Sequence, residues 1–129
     1  MGIFDKLFNG STEPKQVDST PWIDLNRMEQ LNSILVQSKT KLQLIFKHST
    51  RCGISRMVIG QFKKDFKLTE TEVDLYYLDV LSHRDISNEI ANRFDVVHES
   101  PQLLMVKNGV VVKHASHGEI NNMTMDGLV

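Results

Sequence analysis

The sequence predicts an α/β domain with a central mixed β-sheet flanked by helices, in the order βαβαβαββα. Three observations carry that expectation. Short β-branched and aromatic runs alternate with stretches whose apolar residues recur every three or four positions, the pattern of a parallel core with crossover helices. Asn108-Gly109 separates two apolar runs by two residues, a strong hairpin signal, so the last two strands pair antiparallel. The chain's only cysteine, Cys52, falls where an apolar run gives way to an amphipathic one, at a strand–turn–helix junction.

The elements follow in order from residue 21. Trp22-Ile23-Asp24-Leu25 reads as a short strand, and residues 27–37 carry Met28, Leu31, Ile34 and Leu35 at helical spacing. Residues 41–47 form the second strand. Residues 53–66 form a helix whose apolar face is read as Ile54, Met57, Val58, Phe62 and Phe66. Residues 73–80 are a third strand. Ser82 and Asp85 resemble a capping box opening a helix with Ile86, Ile90, Ala91 and Phe94 inward, and Glu89 and Arg93 sit four apart on its outer side. Residues 102–107 and 110–114 make the hairpin. The tail from Glu119 reads as a short helix that buries Ile120, Met123 and Leu128.

Residues 1–20 precede this domain of residues 21–129. Ile3, Phe4, Leu7 and Phe8 have helical spacing and suit one or two turns docked on the domain, with a partner or membrane contact as the other reading. Residues 9–20 are polar and turn-rich, the composition of a linker.

Composition sets limits. With 129 residues, 40% of them hydrophobic, the chain can bury one core. A net charge of −1 offers no broad electrostatic footprint for nucleic acid or an anionic membrane. One cysteine rules out an internal disulfide and any multi-cysteine zinc site. No apolar run approaches the roughly 18 residues of a membrane span. The first eight residues are too short and charged for a secretory signal, and Lys6 stands where myristoylation needs Ser or Thr. Asn9-Gly10-Ser11 and Asn122-Met123-Thr124 are then chance sequons, and the expected location is cytoplasmic.

Cys52 carries the chemistry. At a helix N-terminus the unpaired N–H groups and the helix dipole stabilise a thiolate, which is the nucleophilic form of the sulfur. Arg51 and Arg56 add positive charge close by, and Lys47 and His48 are candidates to add more. His48 is also a candidate modulator of the loop, against the plainer reading of a strand-end surface residue. His114 and His117 have metal-like spacing without a supporting carboxylate cluster, and no metal site is expected. Trp22, Tyr76 and Tyr77 read as packing residues.

The order of elements, with a helix-capping cysteine after the second strand, is that of a thioredoxin-like fold. A narrower resemblance runs through Lys47-His48-Ser49-Thr50-Arg51-Cys52-Gly53-Ile54-Ser55-Arg56, Asp74-Leu75-Tyr76-Tyr77-Leu78-Asp79 and His83-Arg84-Asp85-Ile86-Ser87-Asn88-Glu89-Ile90-Ala91. It continues through His98-Glu99-Ser100-Pro101-Gln102 and Lys113-His114-Ala115-Ser116-His117. Over about residues 20–120 the chain resembles the monothiol bacilliredoxins, the YtxJ-like family of bacillithiol-using Firmicutes. Gly53 is the departure, where the family pattern most often has Pro. It moves the motif toward the Cys-Gly-Phe-Ser of monothiol glutaredoxins.

The resemblance implies removal of bacillithiol, a cysteinyl-glucosamine-malate thiol, from modified client proteins in the cytoplasm. Cys52 would take bacillithiol as a mixed disulfide, and free bacillithiol would serve as the external thiol co-substrate, with no tightly bound cofactor. Ser55 occupies the position where dithiol relatives keep a resolving cysteine, and is also a candidate to tune the thiolate and cap the helix. Pro101 is the expected cis-proline and Ser100 the residue beside it that touches substrate, with a plain trans turn as the alternative. Arg51 and Arg56 suit the malate carboxylates, or act as solvated charges that only tune Cys52. S-bacillithiolated proteins and bacillithiol are the implied partners, with neither nucleic acid nor membrane among them.

Two other functions stand beside this one. A monothiol glutaredoxin-like carrier would share a [2Fe–2S] cluster between two copies of Cys52 and two external thiols. The Gly-Gly-Asp stretch of those proteins is missing after the final hairpin. A non-catalytic thioredoxin-like binding module would keep Cys52 buried and inert.

Overall fold

The computed structural model describes residues 19–129. The segment containing Ile3, Phe4, Leu7 and Phe8, and nearly all of the polar stretch after it, lie outside the described residues. Five strands and three helices follow: β1 (Trp22–Asp24), α1 (Gln30–Gln37), β2 (Leu42–His48), α2 (Gly53–Asp65), β3 (Val73–Asp79), α3 (Arg84–Phe94), β4 (Gln102–Lys107) and β5 (Val110–Ser116). A 3-10 helix, His117–Asn122, takes the place of the expected terminal helix and buries Ile120.

The sheet runs β1-β3-β2-β4-β5, with β1 and β2 parallel to β3, and β4 antiparallel to both β2 and β5. Every residue of β2 is buried. A central strand covered on both faces reads as a mostly apolar run and not an alternation, here interrupted by the buried Gln43 and Lys47 and ended by His48. Leu42, Leu44 and Phe46 join Val58, Ile59 and Phe62 of α2, while Ile45 packs among Leu31 and Ile34 of α1 and Ile86 and Ile90 of α3. Trp22 closes the α2 side, its ring centroid 5.9 Å from Phe46 and 6.0 Å from Phe62.

Asn108 and Gly109 turn the β4–β5 hairpin with φ of 54° and 80°, the left-handed pair a two-residue turn requires. Glu89 and Arg93 pair at 3.1 Å on the outer side of α3. Two expectations need correction. The capping box does not form: Ser82 Oγ donates to the Asp79 carboxylate at 3.1 Å, and His83 is the N-cap of α3 without a side-chain bond. The inward face of α2 is Ser55, Val58, Ile59 and Phe62, spaced i, i+3, i+4, i+7, which leaves Ile54 and Met57 exposed beside the cysteine.

Candidate active site

β2 ends at His48, and Ser49, Thr50 and Arg51 turn the chain into Cys52. The Cys52 N–H donates to the Ser49 carbonyl at 3.2 Å, closing the turn. Cys52 has extended backbone (φ −102°, ψ 121°), and its carbonyl accepts from the Arg56 N–H at 3.1 Å. It is therefore the N-cap of the 13-residue α2, partly exposed, with a side chain that makes no cap bond. The helix dipole and the free first-turn N–H groups favour negative charge at this point.

Ser55, one turn into α2, is fully buried. The Ser49 N–H donates to Ser55 Oγ at 3.1 Å, and the same oxygen lies 2.8 Å from His48 Nδ1. The hydroxyl thus ties the helix to the turn and to the end of β2 and does not cap the helix. His48 is 5% exposed, so it is not a surface residue. Burial pushes its pKa below the usual histidine value, Asp79 opposes that, and Lys63 and Arg56 add to it. Its ring also packs against Tyr77 at 5.6 Å.

The two arginines flank the thiol differently. Arg51 is exposed on the turn. Arg56 is also exposed, but its Nη1 donates to the Thr50 carbonyl at 3.2 Å and so braces the turn. A Cβ at Gly53 would come no closer than 4.0 Å to Arg56 Nη2, and its φ is not positive, so nothing local demands glycine.

Lys47 does not contribute charge at Cys52. Neighbouring strand residues point to opposite faces, so with His48 turned toward α2, Lys47 turns toward α3. There it is fully buried, with Nζ 3.3 Å from the Ser87 carbonyl and 3.1 Å from His98 Nδ1. Burial lowers its pKa to about 8.

The peptide bond between Ser100 and Pro101 is cis, as expected. Lys47 is opposite Gln102 in the β2–β4 register, so this loop borders the end of β2 from which the cysteine turn springs. The His117 N–H holds the Pro101 carbonyl at 2.9 Å, and Gln102 Nε2 holds the Val97 carbonyl at 2.9 Å. Ser100 Oγ is shielded from solvent and has no hydrogen-bond partner among the described residues. His117 starts the 3-10 helix with φ 55°. Among the described residues no three His, Cys, Asp or Glu side chains gather as metal ligands.

The arrangement is one thiol at a helix N-terminus, a hydroxyl in the position a resolving thiol would occupy, and a cis-proline loop at the same sheet end. The family model for the monothiol bacilliredoxin BrxC matches residues 23–125. The chain belongs to the monothiol bacilliredoxin family. Among solved structures, a protein assigned as an oxidoreductase with a thioredoxin fold shares 38% identity, over 78% of this chain and 87% of that one, with a TM-score of 0.67. Two thioredoxins show the same fold at lower identity. That of Malassezia sympodialis has 19% identity over 84% of this chain and 90% of its own, TM-score 0.61. Mitochondrial thioredoxin 3 of Saccharomyces cerevisiae has 18% identity over 82% and 92%, TM-score 0.63.

As a bacilliredoxin-family protein with one cysteine and a thioredoxin-like fold, the chain is a monothiol thiol–disulfide oxidoreductase. What sequence reading missed at this site is the Lys47–Ser87–His98 cluster. Its signal was present: a lysine inside a strand buried on both faces has to find internal partners.

Proposed function

We propose that this bacilliredoxin removes bacillithiol from S-bacillithiolated protein cysteines. The observation that carries the reading is Cys52 as N-cap of α2, with Ser55 where a second thiol would stand and its hydroxyl engaged by His48 and Ser49. The Cys52 thiolate attacks the bacillithiol sulfur of the client's mixed disulfide. The client sulfur leaves with the bonding electron pair and takes up a proton, and bacillithiol remains disulfide-bonded to Cys52. Ser55 cannot resolve that bond. A thiolate of free bacillithiol attacks the bound bacillithiol sulfur, forms bacillithiol disulfide and releases Cys52 as thiolate.

Ser100 and Pro101 border the cysteine turn and suit the extended backbone of a client. The exposed guanidinium groups of Arg51 and Arg56, one before and four after Cys52, suit the two malate carboxylates. Bacillithiol is thus a co-substrate and not a resident cofactor, and the working place is the cytoplasm.

The test is intact-mass analysis of the reduced protein after incubation with bacillithiol disulfide or glutathione disulfide, beside Cys52→Ala. The expected result is a bacillithiol adduct absent from the variant, removed by free bacillithiol, and formed much faster than any glutathione adduct. No adduct from either disulfide overturns the reading.

A further inference from the structure

His98 lies two residues before Ser100 and is exposed, yet its Nδ1 is turned inward. That nitrogen faces Lys47 Nζ at 3.1 Å and Ser87 Oγ at 3.0 Å. Lys47 also donates to the Ser87 carbonyl at 3.3 Å, so β2, α3 and the loop leading into the cis-proline meet at one point. With its pKa near 8, Lys47 is an ammonium at neutral pH and can only donate. Nδ1 must then be the acceptor, and the ring proton of a neutral His98 sits on Nε2. Burial of part of the ring, then the charges of Lys47 and Arg84, lower the His98 pKa from its ordinary value, with Glu99 opposing them. Nε2 has no partner among the described residues.

We propose that His98 is a preset hydrogen-bond donor to the substrate, its Nδ1 engaged by the Lys47–Ser87 side and its Nε2–H offered from the exposed loop that leads into Ser100 and Pro101. The inference rests on the reading that this loop receives mixed disulfides. The group it suits is an oxygen acceptor, either a carbonyl of the client chain or a carboxylate of the small thiol. Lys47 and Ser87 act through His98 and are positioning residues. A donor fixed before substrate arrives loses little freedom on binding, and one that meets an oxygen away from the reacting sulfurs holds ground state and transition state alike, so its loss raises KM and leaves kcat.

Two measurements test this. Side-chain nitrogen–proton NMR of the full chain at pH 7, assigned with His98→Ala, should show His98 as the neutral Nε2–H tautomer. The Nδ1–H tautomer or an imidazolium would overturn the proposal, and neither depends on activity. Kinetics with a bacillithiolated peptide should show KM raised about three- to tenfold in His98→Ala with kcat unchanged, and largely restored in His98→Gln. Bacillithiol disulfide as second substrate locates the acceptor. A KM rise confined to the peptide places it on the client, and a rise with both places it on the small thiol. Unchanged KM for both substrates, or His98→Gln as impaired as His98→Ala, sinks the proposal. A native chain that turns over neither substrate removes the bacillithiol reading, with the His98 arrangement still judged by its tautomer.

Discussion

His48 Nδ1 lies 2.8 Å from Ser55 Oγ, so the last residue of β2 is bonded to the first turn of α2 across the loop that carries Cys52. The Ser49 N–H converges on the same oxygen. Replacing this fully buried hydroxyl leaves a ring nitrogen and a backbone donor unsatisfied, which costs about 1–3 kcal/mol. Ser55→Ala should therefore unfold at lower urea with an unchanged m-value. A midpoint equal to that of the parent protein would show that the bond contributes nothing.

The same histidine gives stability a pH dependence. Its folded pKa is depressed by burial, so the unfolded chain binds the proton more readily. The stability linked to His48 is present above the ordinary histidine pKa of about 6.5 and is lost as pH falls below it. His48→Asn keeps a polar group near the Ser55 hydroxyl but does not titrate there. Urea unfolding between pH 7 and pH 5 should show a shallower loss in this variant than in the parent. His98 is common to both proteins and cancels.

The architecture was legible because β2, α2 and the Asn108-Gly109 hairpin each obey a local rule that their neighbours support. The cysteine turn was legible for the same reason, since a strand end followed by an amphipathic run fixes a helix N-terminus. Periodicity was less informative at the start of α2. Ile54 and Met57 look like core residues by type, but the helix turns Ser55 inward because His48 and the Ser49 N–H offer it partners. Lys47 was misplaced for a related reason. Its charge reads as local to Cys52 along the chain, while the pleat of β2 sends it to the opposite face. Contacts such as Lys47 to His98, 51 residues apart, depend on register that no local pattern specifies.

Gly53 is the first residue of α2, where the N–H has no intrahelical partner and proline's fixed φ suits the helix. Cys52 before it is already extended, the conformation a following proline imposes. Gly53→Pro should thus stabilise the protein by about 0.4–1 kcal/mol, mainly by restricting the unfolded chain. The gain would appear as a higher urea midpoint. A lower midpoint would show that the Gly53 N–H or its backbone freedom is needed by the folded protein.

Lys47 makes a prediction at alkaline pH. Burial lowers its folded pKa from 10.5 to about 8, so between those values the folded protein has released a proton that the unfolded chain still holds. Unfolding then takes up a proton, and stability rises with pH across the window. At 1.36 kcal/mol per pKa unit, the gain from pH 8 to pH 10 is about 2 kcal/mol. Tyr76 and Tyr77, whose pKa values are raised by burial, work in the opposite direction once the unfolded tyrosines ionise, which closes the window near pH 10. Lys47→Met preserves the length of the side chain and removes the titration. Urea unfolding at pH 8, 9 and 10 should show the parent gaining about 2 kcal/mol relative to the variant. Parallel behaviour of the two proteins would mean that Lys47 keeps an ordinary lysine pKa in the fold. In that event the ammonium would hold its contacts to Ser87 and His98 without the burial penalty inferred for it.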